Sequence, residues 1–137
     1  MIASRKITDL LPEAATKCQA FITLCQNKGI DVIITSTYRD LESQHALYEH
    51  GRTTPGRIVT NADAGQSFHN YQVAFDFAPI INGKPAWDDT ELFAQCGEIA
   101  ESLGLEWAGR WEKFREMAHC QYTKGLTLHD FQNGKTI

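Results

Sequence analysis

Ser67-Phe68-His69-Asn70-Tyr71-Gln72-Val73-Ala74-Phe75-Asp76-Phe77-Ala78 is the stretch on which the fold turns. From Val73 onward it alternates, so a strand puts Val73, Phe75 and Phe77 on one face and Ala74, Asp76 and Ala78 on the other. The first face is the natural core. The second carries one carboxylate between two methyl-sized side chains, which leaves room above Asp76 for something bulky and charged. A half-buried charge of this kind needs a partner. His69 is a candidate through a shared ligand, because His and Asp both bind zinc at about 2.0–2.2 Å and catalytic zinc usually takes three protein ligands plus water. A third ligand has to come from elsewhere, and the remaining histidines are His45, His50, His119 and His129. His45 and His50 fall on a helix surface and His129 in the tail. His119 lies in the strand-like Ala118-His119-Cys120-Gln121-Tyr122, where Ala118 and Cys120 face the core and His119 faces away. Glu116, three residues earlier, can reach the same place without occupying the metal. Spacing alone leaves two readings open, a metal site or a set of satisfied polar residues, since His-x6-Asp is far less diagnostic than HExxH.

Working outward, residues 72–81 read as a strand closed by Asn82-Gly83, a two-residue hairpin signal. Upstream, Ile30 to Ser36 is β-rich and reads as a second strand. Residues 8–28 read as a helix, capped by Thr8, with Pro12 in its first turn and Gly29 as its stop. Its expected buried stripe is Leu11, Ala15, Cys18, Ile22 and Cys25. Asp40 caps a second helix running to Gly51. Residues 52–66, rich in Gly, Pro, Thr, Asn and Asp, form a long loop of the kind that often carries function. Asp88 and Glu91 suggest a capping box for a helix ending at Gly104, with Leu92, Cys96, Ile99, Ala100 and Leu103 inward. Short strands are expected around Leu105–Trp107 and Ala118–Tyr122, and a short terminal segment from Thr123. The fold class expected is α+β, a small antiparallel sheet with helices packed around it.

The chain has 137 residues, 42% of them hydrophobic and 22% charged. That balance excludes disorder, and the length favours a single domain over 1–137 with no room for a separate targeting module. A net charge of −4 argues against nucleic acid held by bulk electrostatics. The longest aliphatic run, Val32-Ile33-Ile34, is far short of a membrane helix. Arg5 and Lys6 are followed by no apolar stretch, so no secretory signal is expected. Cys18, Cys25, Cys96 and Cys120 form no CxxC pair and read as buried free thiols.

The chain resembles the zinc D-Ala-D-Ala peptidase group, with its hedgehog/DD-peptidase fold. Ser67, His69, Ala74 and Asp76 stand in register with SxHxxGxAxD, and Glu116 with His119 match the distal (D/E)xxH. The similarity is greatest to phage endolysins that are L-alanyl-D-glutamate endopeptidases. Ser36-Thr37-Tyr38-Arg39-Asp40 with Gln44, Ala46, Leu47, Tyr48 and Gly51 matches their GYRS…Q.ALY..G. Residues 52–62, Trp107 with Trp111, and Gly125-Leu126-Thr127-Leu128 match as well, so the resemblance covers about residues 30–130. Departures are Gln72 for Gly, Arg110 for the Asp of GDW, and Glu116, Ala118 and Gln121 for the Asp, Pro and final acid of DxPHFE.

The resemblance implies one Zn²⁺ on His69, Asp76 and His119, Glu116 as catalytic base, and Arg39 as the group that stabilises an oxyanion or a substrate carboxylate. It implies that Gln44, Ser67 and Trp111 position the peptide, with a loop-capping role for Ser67 as the alternative. Tyr38 and Trp107 are assigned to the core, and Arg52 and Arg57 to solvated loop charge. The activity implied is cleavage of the L-Ala–D-Glu bond of peptidoglycan stem peptides, leading to bacterial lysis. The alternatives are a D,D-carboxypeptidase or dipeptidase acting on D-Ala-D-Ala and a non-catalytic zinc module. The implied setting is a monomer held in the host cytoplasm until a holin gives it access to the wall, with no nucleic-acid partner and no membrane insertion.

Overall fold

Helix α1 (Pro12–Asn27) and strand β1 (Asp31–Ser36) are joined by Gly29, whose φ of +78° makes the left-handed turn that stops the helix. The computed structural model describes residues 1–137. After β1 come α2 (Leu41–Glu49), the long loop, a single 3-10 turn at Phe68–Tyr71, and strands β2 (Ala74–Ile81) and β3 (Lys84–Pro85). Helix α3 (Thr90–Ser102), β4 (Glu106–Trp107), β5 (His119–Gln121) and α4 (Leu128–Gln132) complete the chain. The sheet is antiparallel in the order β1-β2-β5-β4, with β3 hairpinned onto β2. The α+β expectation is met. Asn82 and Gly83 both have positive φ, as a tight primed turn requires.

Strand β2 lies at the centre of the sheet and is covered on both faces, so its alternation separates two environments rather than core from solvent. Phe75 and Phe77 pack on Phe21 of α1, with ring centroids 5.6 and 4.9 Å away, and Phe77 also meets Phe93 of α3 at 5.5 Å. These aromatics set the rotation of both helices. The buried stripe of α1 is Ala14, Cys18, Phe21 and Cys25, so Leu11, Ala15 and Ile22 sit at its margin rather than its centre. In α3 the inward residues are Phe93, Cys96, Gly97, Ile99 and Ala100, with Leu92 and Leu103 only partly covered. All four cysteines are buried free thiols.

Three boundaries differ from expectation. Thr8 does not cap α1: it lies in a separate 3-10 turn, Ile7–Asp9, and the helix starts at Pro12, whose missing N–H needs no cap. The cap of α3 is Asp89 rather than Asp88, its Oδ1 accepting the Leu92 N–H at 3.0 Å. The tail contains helix α4, opened by a reciprocal Thr127/Asp130 capping box and docked through Phe131 against Tyr71 and Phe68. No helix is long and apolar enough to cross a membrane.

Candidate functional site

Sheet register brings the site together. Asp76 on β2 is paired with His119 on β5 on one side and Ser36 on β1 on the other, and β1 is irregular between Ile34 and Ser36. Directly paired antiparallel residues project from the same face, so the pairing alone places His119 beside Asp76. His69 arrives from the 3-10 turn. Ser67 opens that turn by accepting the His69 N–H at 3.2 Å, with Asn70 closing a capping box. Gln72 ends it with φ +64°. That left-handed position explains why glycine is the residue expected there. Gln72 is held by a hydrogen bond from its Nε2 to the Asp9 carbonyl at 2.8 Å.

Both imidazoles are oriented from behind. The Nδ1–H of His69 donates to the Thr37 carbonyl at 2.7 Å, which leaves Nε2 as the lone-pair atom, 3.2 Å from Asp76 Oδ1. The Nε2–H of His119 donates to Gln121 Oε1 at 2.8 Å, which leaves Nδ1 facing Asp76 Oδ1 at 3.3 Å. His119 Nδ1 is buried and makes no hydrogen bond. Two lone pairs aimed at one carboxylate oxygen repel unless a cation lies among them. Tetrahedral ligands at about 2.1 Å from a zinc stand about 3.4 Å apart, close to the separations found. The three ligand atoms lie within 4.8 Å of one another. The donor set, the outer-shell hydrogen bonds and the orphaned nitrogen therefore fit a metal ion. Burial pushes the Asp76 carboxyl up, but the imidazoles of His69 and His119 more than offset this and hold it well below the usual range. For His119, burial acts downward and the Asp76 carboxylate outweighs it, so its pKa is raised.

A groove of about 780 Å³ opens over these three residues. Glu116 stands at its rim, 62% exposed, with Oε2 3.7 Å from His119 Nδ1. Arg39 reaches the groove from the β1–α2 connection. Its Nη1 donates to Gln44 Oε1 at 2.7 Å and its Nη2 to Ser36 Oγ at 3.1 Å. Burial lowers the Arg39 pKa, and the Asp76 and Glu116 carboxylates partly restore it. Trp111 lines one wall, its ring 5.7 Å from His119, beside the exposed Phe114. Ile58 and Val59 of the long loop line the other.

Of the residues expected at a site, His69, Asp76, His119, Glu116, Arg39, Ser67 and Trp111 all border this groove. Gln44 does not. It is fully buried, its Oε1 taken by Arg39 and its Nε2 donated to the Ala62 carbonyl at 2.7 Å, so it fixes the arginine and the loop instead of touching a peptide. Tyr38 is only half-buried and lies outside the core cluster, whereas Trp107 is within it. Arg52 is exposed, as expected of a loop charge, and it also stacks 3.9 Å over Tyr48 and donates to the Tyr48 and Thr60 carbonyls, which folds the loop onto α2. His45 is likewise engaged, pairing with Glu49 at 2.6 Å and with Asp63 at 2.8 Å. Arg110 turns away from the groove to a two-point pairing with Glu101 on α3. Thr37 and Gln121, which orient the two imidazoles, are not among the residues expected at the site. Two signals point to the second: Gln121 takes the place of the final acid of DxPHFE, and the alternation of β5 sets it two residues after His119 on the same face.

Residues 8–124 match the family profile described as VanY, D-alanyl-D-alanine carboxypeptidase. The chain is 40% identical over 123 residues to the peptidoglycan L-alanyl-D-glutamate endopeptidase CwlK of Bacillus subtilis (strain 168), an alignment covering 83% of this chain and 74% of that protein. It is 29% identical over 135 residues to the L-alanyl-D-glutamate peptidase of Listeria phage A118, covering 94% of this chain but 43% of the phage protein. In three dimensions it is similar to the vancomycin-resistance D,D-pentapeptidase VanY of the VanB-type cassette, solved in complex with Zn(II). That match has a TM-score of 0.63 at 16% identity, covering 82% of this chain and 72% of that one. At such identity the likeness concerns the fold.

Proposed function

The chain belongs to the VanY family of D-alanyl-D-alanine carboxypeptidases, and from that premise we propose that it is a zinc metallopeptidase hydrolysing the L-Ala–D-Glu bond of peptidoglycan stem peptides. The observation that carries the reading is the convergence of His69 Nε2 and His119 Nδ1 on Asp76 Oδ1, with a free carboxylate at the rim of the same groove. The two curated relatives, both named for L-alanyl-D-glutamate cleavage, support the choice of bond. The phage relative supports a lytic role, in which a holin would give the enzyme access to the wall.

His69, Asp76 and His119 would hold the ion. With an ion held there, the site would gain a Lewis acid able to lower the pKa of a water and polarise the scissile carbonyl. Glu116 accepts the proton of the attacking water and passes it to the leaving amine. Its exposure at the rim suits a group that must turn from water to leaving group. Arg39, held by Gln44 and Ser36, presents its remaining N–H donors to the developing oxyanion. Trp111 and the Ile58–Val59 wall flank the peptide and keep water from its backbone.

Mass spectrometry of digested muropeptides tests the reading. A new N-terminal D-Glu, abolished in Glu116→Gln while zinc is retained, is the expected result. Loss of terminal D-Ala instead would establish the D,D-carboxypeptidase reading that the family description favours. No turnover of any muropeptide by zinc-loaded protein would leave a zinc module without catalysis.

A further inference from the structure

Behind His119 lies a second polar chain that the reaction does not use directly. Gln121 is buried on β5, and its carboxamide bridges two groups. Oε1 accepts the His119 Nε2–H at 2.8 Å, and Nε2 donates to Glu106 Oε2 at 2.6 Å. Glu106 is the cross-strand partner of Gln121 on β4, and its other oxygen accepts the Thr123 hydroxyl at 3.0 Å.

An amide has an acceptor end and a donor end of nearly the same shape, so on its own Gln121 can turn either end to the imidazole. An ionised carboxylate offers only acceptors. Glu106 therefore selects the NH₂ end of Gln121, which forces the carbonyl end toward His119. A carbonyl can only accept, so the His119 proton is placed on Nε2 and the lone pair on Nδ1, the atom that faces Asp76 Oδ1 at 3.3 Å. Turned over, Gln121 would donate to Nε2, move the proton to Nδ1, and close that atom to a metal.

We infer that Glu106 is a positioning residue for the metal centre: acting through the Gln121 amide, it sets the tautomer in which His119 can bind the ion. The inference rests on the metal-centre reading proposed above. It assigns Glu106, which touches neither the groove nor the expected ligands, a role in metal affinity.

The test is zinc affinity of the purified full-length chain, measured by competition with a chromophoric chelator, beside thermal melting of the metal-free protein. Glu106→Ala is expected to bind zinc about tenfold more weakly, at the lower end of what outer-shell substitutions do. The exchanged pair Gln121→Glu with Glu106→Gln puts an acceptor-only group against His119 and keeps the cross-strand hydrogen bond. It is expected to return zinc affinity to within about threefold of wild type. If Glu106→Ala does not fold, Glu106→Gln replaces it. There both amides are free to turn, and zinc binding should be weaker than in the exchanged pair. Unchanged zinc affinity in Glu106→Ala with only a lower melting temperature would overturn the inference, as would an exchanged pair no tighter than the single variant. Wild-type protein that binds no zinc would overturn the metal centre itself, and the relay with it.

Discussion

Gly97→Ala sets two calculable effects against each other. Gly97 is in the middle of α3, where alanine favours the helix by about 1 kcal/mol. A Cβ at this position would point into the six-membered ring of Trp107, closer than real Cβ contacts occur. The ring has little freedom to retreat, because it is packed as closely against Gly109, where an added Cβ would also meet it, and its Nε1–H is tied to the Met117 carbonyl at 2.8 Å. Trp107 is 5% exposed, so no solvent margin absorbs the strain. Overpacking of a closed site costs about 1–3 kcal/mol, and the upper end applies when neither partner can move. The net expectation is destabilisation by about 2 kcal/mol, a fall in Tm of about 6–10 °C at this chain length. Met117 follows Glu116, so a displaced indole also tilts the rim, and turnover well below Tm should fall by more than the unfolded fraction explains. Differential scanning calorimetry and a muropeptide assay on the same preparation measure both. In a Trp107→Phe background the ring no longer fills the gap, and Gly97→Ala should become neutral or stabilising by up to about 1 kcal/mol. A Tm equal to or above wild type in the native background would refute the locked-indole argument.

Other substitutions probe the groove and its walls. Arg39→Lys keeps the charge but cannot bridge Gln44 and Ser36 while presenting a planar fork, so kcat should drop by about 10²–10³ with zinc content unchanged; a kinetic and elemental comparison checks it. His45 bridges Glu49 of α2 and Asp63 of the long loop, and its pKa is raised chiefly by the hydrogen bond to Asp63. The folded value lies above the unfolded one, so its contribution is complete below about pH 6.5. It is lost as pH rises through the raised value. Proteolysis within 52–66 should therefore accelerate with pH in wild type and lose that dependence in His45→Gln. Gln72→Gly relieves a left-handed residue at about 1–2 kcal/mol but gives up backbone entropy and the hydrogen bond to Asp9, so chemical denaturation should place it within about 1 kcal/mol of wild type. A larger loss would mean that the Asp9 hydrogen bond outweighs the relief of the left-handed backbone.

Local signals are legible where one residue type has few alternatives. Asn82-Gly83 admits a primed turn and little else, Asp40 is a short acceptor placed just ahead of a helix, and Gly29 supplies a positive φ. The helix stripes read from the sequence hold at Cys18, Cys25, Cys96, Ile99 and Ala100 and miss Ala14, Phe21, Phe93 and Gly97, because periodicity defines a face only to within a residue, whereas the rings of Phe21 and Phe93 find their partners on β2. Asp88 and Asp89 are chemically identical neighbours, and only backbone direction at the helix entry separates them. The spacing of Gln44 matches a motif and so suggests contact with substrate. Whether such a residue faces the groove or the back of Arg39 depends on how α2 docks.

By itself the sequence determined the chemical inventory of the site: two histidines, an aspartate, a glutamate and an arginine, and a strand whose alternation sets Asp76 apart from the aromatic core. Those follow from local geometry, because side-chain period and turn chemistry act over a few residues. The tertiary structure decided what those groups can do. Pairing of β2 with β5 set His119 against Asp76, and the Thr37 carbonyl and the Gln121–Glu106 pair chose which nitrogen of each imidazole keeps its lone pair. A tautomer is fixed by the hydrogen bond on the far side of the ring. For His69 that partner is the carbonyl of Thr37, 32 residues back in the chain; for His119 it is the near neighbour Gln121, but the amide end that Gln121 presents is set by Glu106 across the sheet on β4, so neighbouring residues alone do not supply either tautomer.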